Sequence, residues 1–129
     1  MFMTNYHKPF KTKTSGTGGK RKKNKDKKLR YFGSAPTNTK IGAKDVRKSV
    51  SIRGNRRKAV IKAAQYINLR GKDGKVKKVA LRTVIETPDN RHHARQNILT
   101  KGAIVDTESG KAKITNRVGQ DGIVNGMLI

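Results

Sequence analysis

A chain of 129 residues with a formal charge of +24 and no cysteine is short enough for one domain and excludes several chemistries at once. A disulfide framework, a Cys-based zinc knuckle and a thiol nucleophile are impossible, and no run approaches the ~18 apolar residues of a membrane span. So dense a positive charge repels itself and asks for a polyanion; nucleic acid fits, whereas a membrane surface does not, because no basic segment carries an amphipathic helical stripe.

Charge and apolar residues divide the chain at Arg53-Gly54-Asn55-Arg56-Arg57-Lys58. Residues 1–58 hold 19 Lys/Arg against Asp26 and Asp45, while residues 59–129 hold 13 against 6 acidic residues. Val, Ile and Leu divide the other way, with 19 after the division and only Leu29, Ile41, Val46, Val50 and Ile52 before it. About 70 residues are thus left to form a core. A domain of that size buries roughly 60% of the surface its unfolded chain exposes, so stability that depends on a bound partner is expected.

Met1–Tyr6 is too short and polar for a signal-peptide core, and an intracellular protein is expected. The segment that follows combines Gly16, Gly18 and Gly19 with the run Lys20–Arg30, which has nothing to bury and reads as disordered when free. Phe2, Tyr6, Phe10, Tyr31 and Phe32 lie here, and Tyr66 alone lies in the apolar part. Aromatics among cations suit stacking on unpaired RNA bases; packing on the domain or on neighbouring proteins is the other reading. Ser34–Thr39 with Pro36 reads as an extended spacer. Val46, Val50 and Ile52 fit a short strand or a weak helix equally.

Beyond Lys58 a period of two places Ala59, Ile61, Ala63, Ile67 and Leu69 on one face of a strand. Asp73-Gly74 supplies a hairpin turn, and a second strand follows with Val79, Leu81 and Ile85 on one face, ending at Glu86-Thr87-Pro88. Asp89–Gln96 reads as a short capped helix or an ordered loop. A second hairpin runs through Ala103–Thr107, a turn at Glu108-Ser109-Gly110, and a strand sharing Ala112, Ile114 and Val118. Gly119–Gly122 turns the chain into a last apolar strand, Ile123–Ile129. Five or six short strands with glycine turns predict an all-β fold, a small antiparallel β-barrel of about six strands with a long, basic, extended N-terminal tail.

Three chemistries can be weighed against plainer explanations. Gly16-Thr17-Gly18-Gly19-Lys20 departs from a phosphate loop at Thr14 and Arg21 and follows no buried strand, so it reads as a linker. His92-His93 diverge on any regular element and make a poor metal pair; stacking on RNA beside Arg91 and Arg95, or an ordinary polar loop, fits better. Asp106 and Glu108 lie two apart, as paired acid and base would, yet no nucleophile accompanies them, and they read as hairpin-end charges facing Lys111 or Lys113.

Three stretches together carry a family resemblance: Lys13-Thr14-Ser15-Gly16-Thr17-Gly18-Gly19, the spacer with Pro36, Thr39, Ile41 and Gly42, and Asn90 through Ile104. They are joined by Gly119-Gln120-Asp121-Gly122-Ile123-Val124-Asn125. The chain resembles small-subunit ribosomal protein eight of the archaeal/eukaryotic (e) type over nearly its whole length. The resemblance implies a small β-barrel bound to small-subunit rRNA, a basic extension threaded into RNA, and no catalytic role. Lack of a long insertion favours the archaeal form. One departure stands out: the family's Arg-Gly-Gly-Asn is here Arg53-Gly54-Asn55, with either a glycine missing or Asn55 in its place, and asparagine tolerates positive φ.

The expectation is therefore a basic extension over 1–52, disordered until RNA binds, and a β-barrel domain over 53–129. The RNA-contacting residues would be Lys8, Lys11, Lys13, Lys20, Arg21, Lys22, Lys23, Lys25, Lys27, Lys28 and Arg30 in the tail. Arg53, Arg56, Arg57 and Lys58 would act at a hinge where the tail leaves the barrel, and Arg91, His92, Arg95 and Lys101 in the later loop. If 8 cations neutralise phosphates, log K should fall against log salt with a slope of roughly −6 to −7. The function expected is that of a structural constituent of the small ribosomal subunit in the cytoplasm, with rRNA and neighbouring ribosomal proteins as partners. No cofactor, metal, membrane or small-molecule substrate is expected, and no enzymatic activity. A free-standing nucleic-acid-binding or ribosome-assembly protein is the alternative.

Overall fold

The computed structural model describes residues 6, 7, 9, 11, 13, 16–20, 22 and 27–129. The chain divides into two compact units, Met1–Pro36 and Thr37–Ile129. In the first, a single 3-10 turn, Leu29–Tyr31, presents Tyr31 and Phe32 to Tyr6. The Tyr6 ring meets both edge-on, with centroids 6.2 Å from Tyr31 and 5.3 Å from Phe32, and His7 N–H donates to Tyr31 O. None of the described residues in this unit is buried.

The second unit holds eight strands: β1 (Lys40–Ile41), β2 (Val46–Ile52), β3 (Arg56–Ala64), β4 (Tyr66–Arg70), β5 (Val76–Glu86), β6 (Ile104–Thr107), β7 (Gly110–Ile114) and β8 (Asn125–Leu128). Strands β4 to β8 close into a five-stranded barrel, and β1, β3 and β2 form a separate three-stranded sheet in that order. Two short helices, α1 (Arg91–Arg95) and α2 (Val118–Asp121), complete it. The barrel is not wholly antiparallel, because β8 closes it by pairing parallel to β4 through Asn68↔Asn125 and Arg70↔Met127.

The run expected as one strand from Ala59 to Leu69 breaks at Gln65 and supplies one strand to each sheet. Asp45 explains the break, since its Oδ1 accepts the Gln65 N–H at 2.8 Å. Alternation already slips within β3, where Ile61 and Ala64 are buried and Ala59 is exposed, while Ile67 and Leu69 are buried beyond the break. A similar slip corrects β5. Val79 and Leu81 face the core as expected, but the pairing with β6 shifts register between Leu81 and Thr83. The bulge turns the next residues over, burying Val84 and leaving Ile85 45% exposed.

Buried Ile67, Leu69, Val105, Ala112 and Ile114 belong to one apolar cluster with Val118 and Val124. Gly126 is required inside this barrel: a Cβ there would stand 2.8 Å from Ile67 Cδ1 and 3.0 Å from Lys113 O, closer than packed atoms allow. Val118 joins the core from α2, not from a strand, and Gly122 ends that helix with φ +65°.

The division between the two units falls between Pro36 and Thr37. Residues 37–52 belong to the folded unit because Thr39 is buried and its hydroxyl donates to Ile61 O at 2.7 Å, while β1 pairs parallel to β3 and β2 antiparallel to it. Arg53-Gly54-Asn55 is the turn of the β2–β3 hairpin, not the point at which an extension leaves a barrel.

Candidate nucleic-acid interface

At the tip of this hairpin Gly54 has φ +75° and Asn55 φ +56°, the pair of positive angles that tight hairpin turns use. Asn55 thus occupies a backbone conformation at which glycine is the usual residue, and it is among the few side chains that tolerate it. The turn leaves Arg53, Arg56 and Arg57 exposed. Lys58, one pair further in, is half-buried and donates to Gln120 Oε1 of α2 at 3.1 Å. Below it Arg47 on β2 donates through Nε to Gly122 O at 3.0 Å and through Nη2 to Asp45 Oδ2 at 3.3 Å. These bonds tie the base of the hairpin to α2 and leave its tip cationic.

The second group lies around α1. Asn90 caps the helix by accepting the His92 N–H at 3.0 Å, and Asp89 braces it instead of capping it. Asp89 Oδ2 meets His93 Nδ1 at 3.1 Å and Oδ1 accepts the Thr100 hydroxyl at 3.0 Å. Burial works against ionisation of Asp89, but the bonds from Thr100, His93 and the backbone outweigh it and hold the carboxyl below its ordinary value. Arg91, His92 and Arg95 stay exposed, as does Lys101 in the turn beyond. His93 is the braced member of the pair, so the two histidines do not act together.

These groups do not merge into one patch. Lys40, opposite Ala63 at the far end of β3 from the tip, bridges to Ile98 just after α1. The length of β3 therefore separates the hairpin tip from the α1 segment by about 25 Å, at ~3.3 Å per strand residue.

In the N-terminal unit Lys11, Lys13, Lys20, Lys22, Lys27 and Arg30 are exposed and Lys28 is half-buried. The Arg30 guanidinium carbon lies 5.0 Å from the Tyr31 ring centre. Lys8, Arg21, Lys23 and Lys25, with Phe2 and Phe10, lie outside the described residues. Tyr6, Tyr31 and Phe32, read earlier as base-stacking or domain-packing rings, pack on one another.

Lys48, Lys62, Lys78 and Arg82, which are not among the cations expected to meet RNA, are all exposed on strands. Among the described residues only two ion pairs form, Arg47–Asp45 and His93–Asp89. Asp106 stands opposite Lys111 in the β6–β7 register without an ion pair, and Glu108 falls in the turn. No group of three or more His, Cys, Asp or Glu among the described residues is placed to hold a metal, and no helix among them is long and apolar enough to cross a membrane.

Comparison with known proteins accounts for nearly the whole chain. A family model described as ribosomal protein S8e matches residues 9–129. Among curated relatives, the small ribosomal subunit protein eS8 of Methanosphaera stadtmanae is 48% identical over 114 residues, spanning 88% of this chain and 90% of the relative. The proteins of the same name from Sulfolobus acidocaldarius and Staphylothermus marinus are 44% and 43% identical, each over 88% of this chain and 89% of the relative. With barrel, hairpin and cationic surface in place, the match extends from the N-terminal unit through the last strand: the chain belongs to the ribosomal protein S8e family.

Proposed function

We propose that this protein is a structural, non-catalytic constituent of the small ribosomal subunit in the cytoplasm of an archaeon, held there by rRNA and by neighbouring ribosomal proteins. The observation that carries the reading is the uncompensated charge. Of the described lysines and arginines only Arg47 has a carboxylate partner among the described residues, so most of the positive charge is left for a polyanion to neutralise. The names of the relatives, small ribosomal subunit proteins, point to the same assembly.

The reading has two footprints on the folded unit, each supported by exposed cations. Arg53, Arg56 and Arg57 at the hairpin tip engage one stretch of RNA backbone, and Arg91, His92, Arg95 and Lys101 engage another. Lys58 supports the first by fixing the hairpin to α2. The basic N-terminal segment adds Lys11, Lys13, Lys20, Lys22, Lys27, Lys28 and Arg30 as phosphate contacts. Most of these contacts position the protein and do not read base sequence.

Fractionation of cell extract on a sucrose gradient after a moderate-salt wash tests the reading. Stable co-migration with mature small subunits is expected. Recovery only in free, pre-subunit or DNA-bound fractions would favour a transient assembly or free-standing nucleic-acid-binding protein instead.

A further inference from the structure

Tyr66 is the one aromatic residue of the sequence after Phe32, and the fold gives it an unusual setting. It opens β4 directly after the Gln65 break and is 37% exposed. Across the pairing with β5, the Lys78 ammonium lies 4.3 Å from its ring centre. Together with Asp45, Arg47, Asn68, Ile61, Ile123 and Val124, these residues line a pocket of about 170 Å³.

The polar groups around the pocket are fixed in place and only partly used. Arg47 is held by Gly122 O and Asp45 Oδ2, which leaves guanidinium N–H groups to spare among its five. Asn68 donates to Asn125 Oδ1 at 3.2 Å, and its own carbonyl oxygen accepts no side-chain bond among the described residues. Lys78 has no carboxylate partner among the described residues. An aromatic ring, apolar side chains, an amide and two cations lining one pocket suit a flat heterocycle attached to a phosphate.

We infer that this pocket takes one unpaired nucleotide of RNA. The base takes the place of the Lys78 ammonium over the Tyr66 ring, beside Ile61 and Val124, and the displaced ammonium and Arg47 meet its phosphate. A purely apolar partner would desolvate the Lys78 ammonium with no carboxylate to pair it, which is unfavourable. An acidic peptide would satisfy the cations but gain nothing from the ring. The inference rests on the RNA-binding reading and adds a third contact, one that prefers single strands where the hairpin tip reads only backbone.

The test uses the full chain with two probes, a short unstructured single-stranded RNA and a blunt RNA duplex of equal length. In the wild type, the Tyr66 ring protons should shift upfield with the single strand and stay in place with the duplex. Tyr66→Leu should weaken single-strand binding about 5- to 150-fold, the loss of one stacked base, with duplex affinity and salt slope unchanged; Tyr66→Phe should retain binding. Equal weakening for both probes, or none for the single strand, overturns the pocket and leaves the RNA reading standing. If the wild type binds neither RNA, both readings fall. Should Tyr66→Leu prevent folding, the wild-type ring shift decides, and its absence overturns the inference.

Discussion

Strand β4 and strand β2 both mix apolar and polar residues, but they use them in opposite ways. In β4, Ile67 and Leu69 are buried in the barrel between Tyr66, Asn68 and Arg70. In β2 no residue is buried, and Val46 and Ile52 remain 50% and 43% exposed. The barrel is held by its own core. The hairpin is held at its base, by the Ile61 side of β3 and by the bonds of Arg47, Lys58 and Asp45 to α2 and to Gln65, because two strands alone are marginal in water. Stability and charge display are thus assigned to different parts of one unit, which makes the two separable by mutation.

The strongest way to break this comparison is through the barrel core. Ile67→Ala should cost about 2–5 kcal/mol in a denaturant melt, with binding to RNA per folded molecule unchanged. A cost under about 1 kcal/mol would mean the barrel core is not what holds the unit together.

Replacing Arg53, Arg56 and Arg57 by alanine should have the reverse profile. Each exposed change should alter stability by no more than about 0.5 kcal/mol, while the slope of log K against log salt becomes shallower by about 2–3. Loss of folding in this variant, or an unchanged slope, would erase the distinction between tip and barrel.

Gly54→Val tests whether the turn needs its positive φ. A β-branched residue at φ +75° should cost about 1–2 kcal/mol and hinder incorporation into particles, whereas Asn55→Gly should be tolerated on both counts. Unimpaired assembly of Gly54→Val would show that the bend is dispensable.

The smallest effect is expected at Asp89. Its carboxyl titrates below the ordinary 3.8 in the folded chain, so the stabilisation it gives is present above that value and is lost as pH falls through the lower folded value. Asp89 is well exposed, which keeps the effect small. Acid titration of stability should be slightly flatter below about pH 4 in Asp89→Asn than in the wild type, and indistinguishable curves would remove Asp89 as a brace of α1.

Much of the barrel was legible because its strands alternate. The β4–β5 hairpin announced itself by Ile67, Leu69, Val79 and Leu81 around Gly74, and β6–β7 by Val105, Ala112 and Ile114. What alternation cannot show is where it slips. The break at Gln65 depends on Asp45, 20 residues earlier, and the bulge after Leu81 depends on pairing with β6. Strand β2 hid for a different reason: with no buried residue it has no inward face to give a period. The cationic tip was visible as composition, but its role as a hairpin turn followed only from Asn55 taking φ +56°. The Tyr66 pocket was invisible, since Asp45, Arg47, Tyr66, Asn68, Lys78 and Val124 meet only through the fold.

Ultraviolet crosslinking of intact small subunits, with crosslinked peptides mapped to residues, tests the central claim most directly. The account predicts rRNA crosslinks within residues 53–57 at the hairpin tip and within the basic N-terminal segment. Crosslinks confined to other surfaces of the barrel, with residues 53–57 free of RNA, would contradict it.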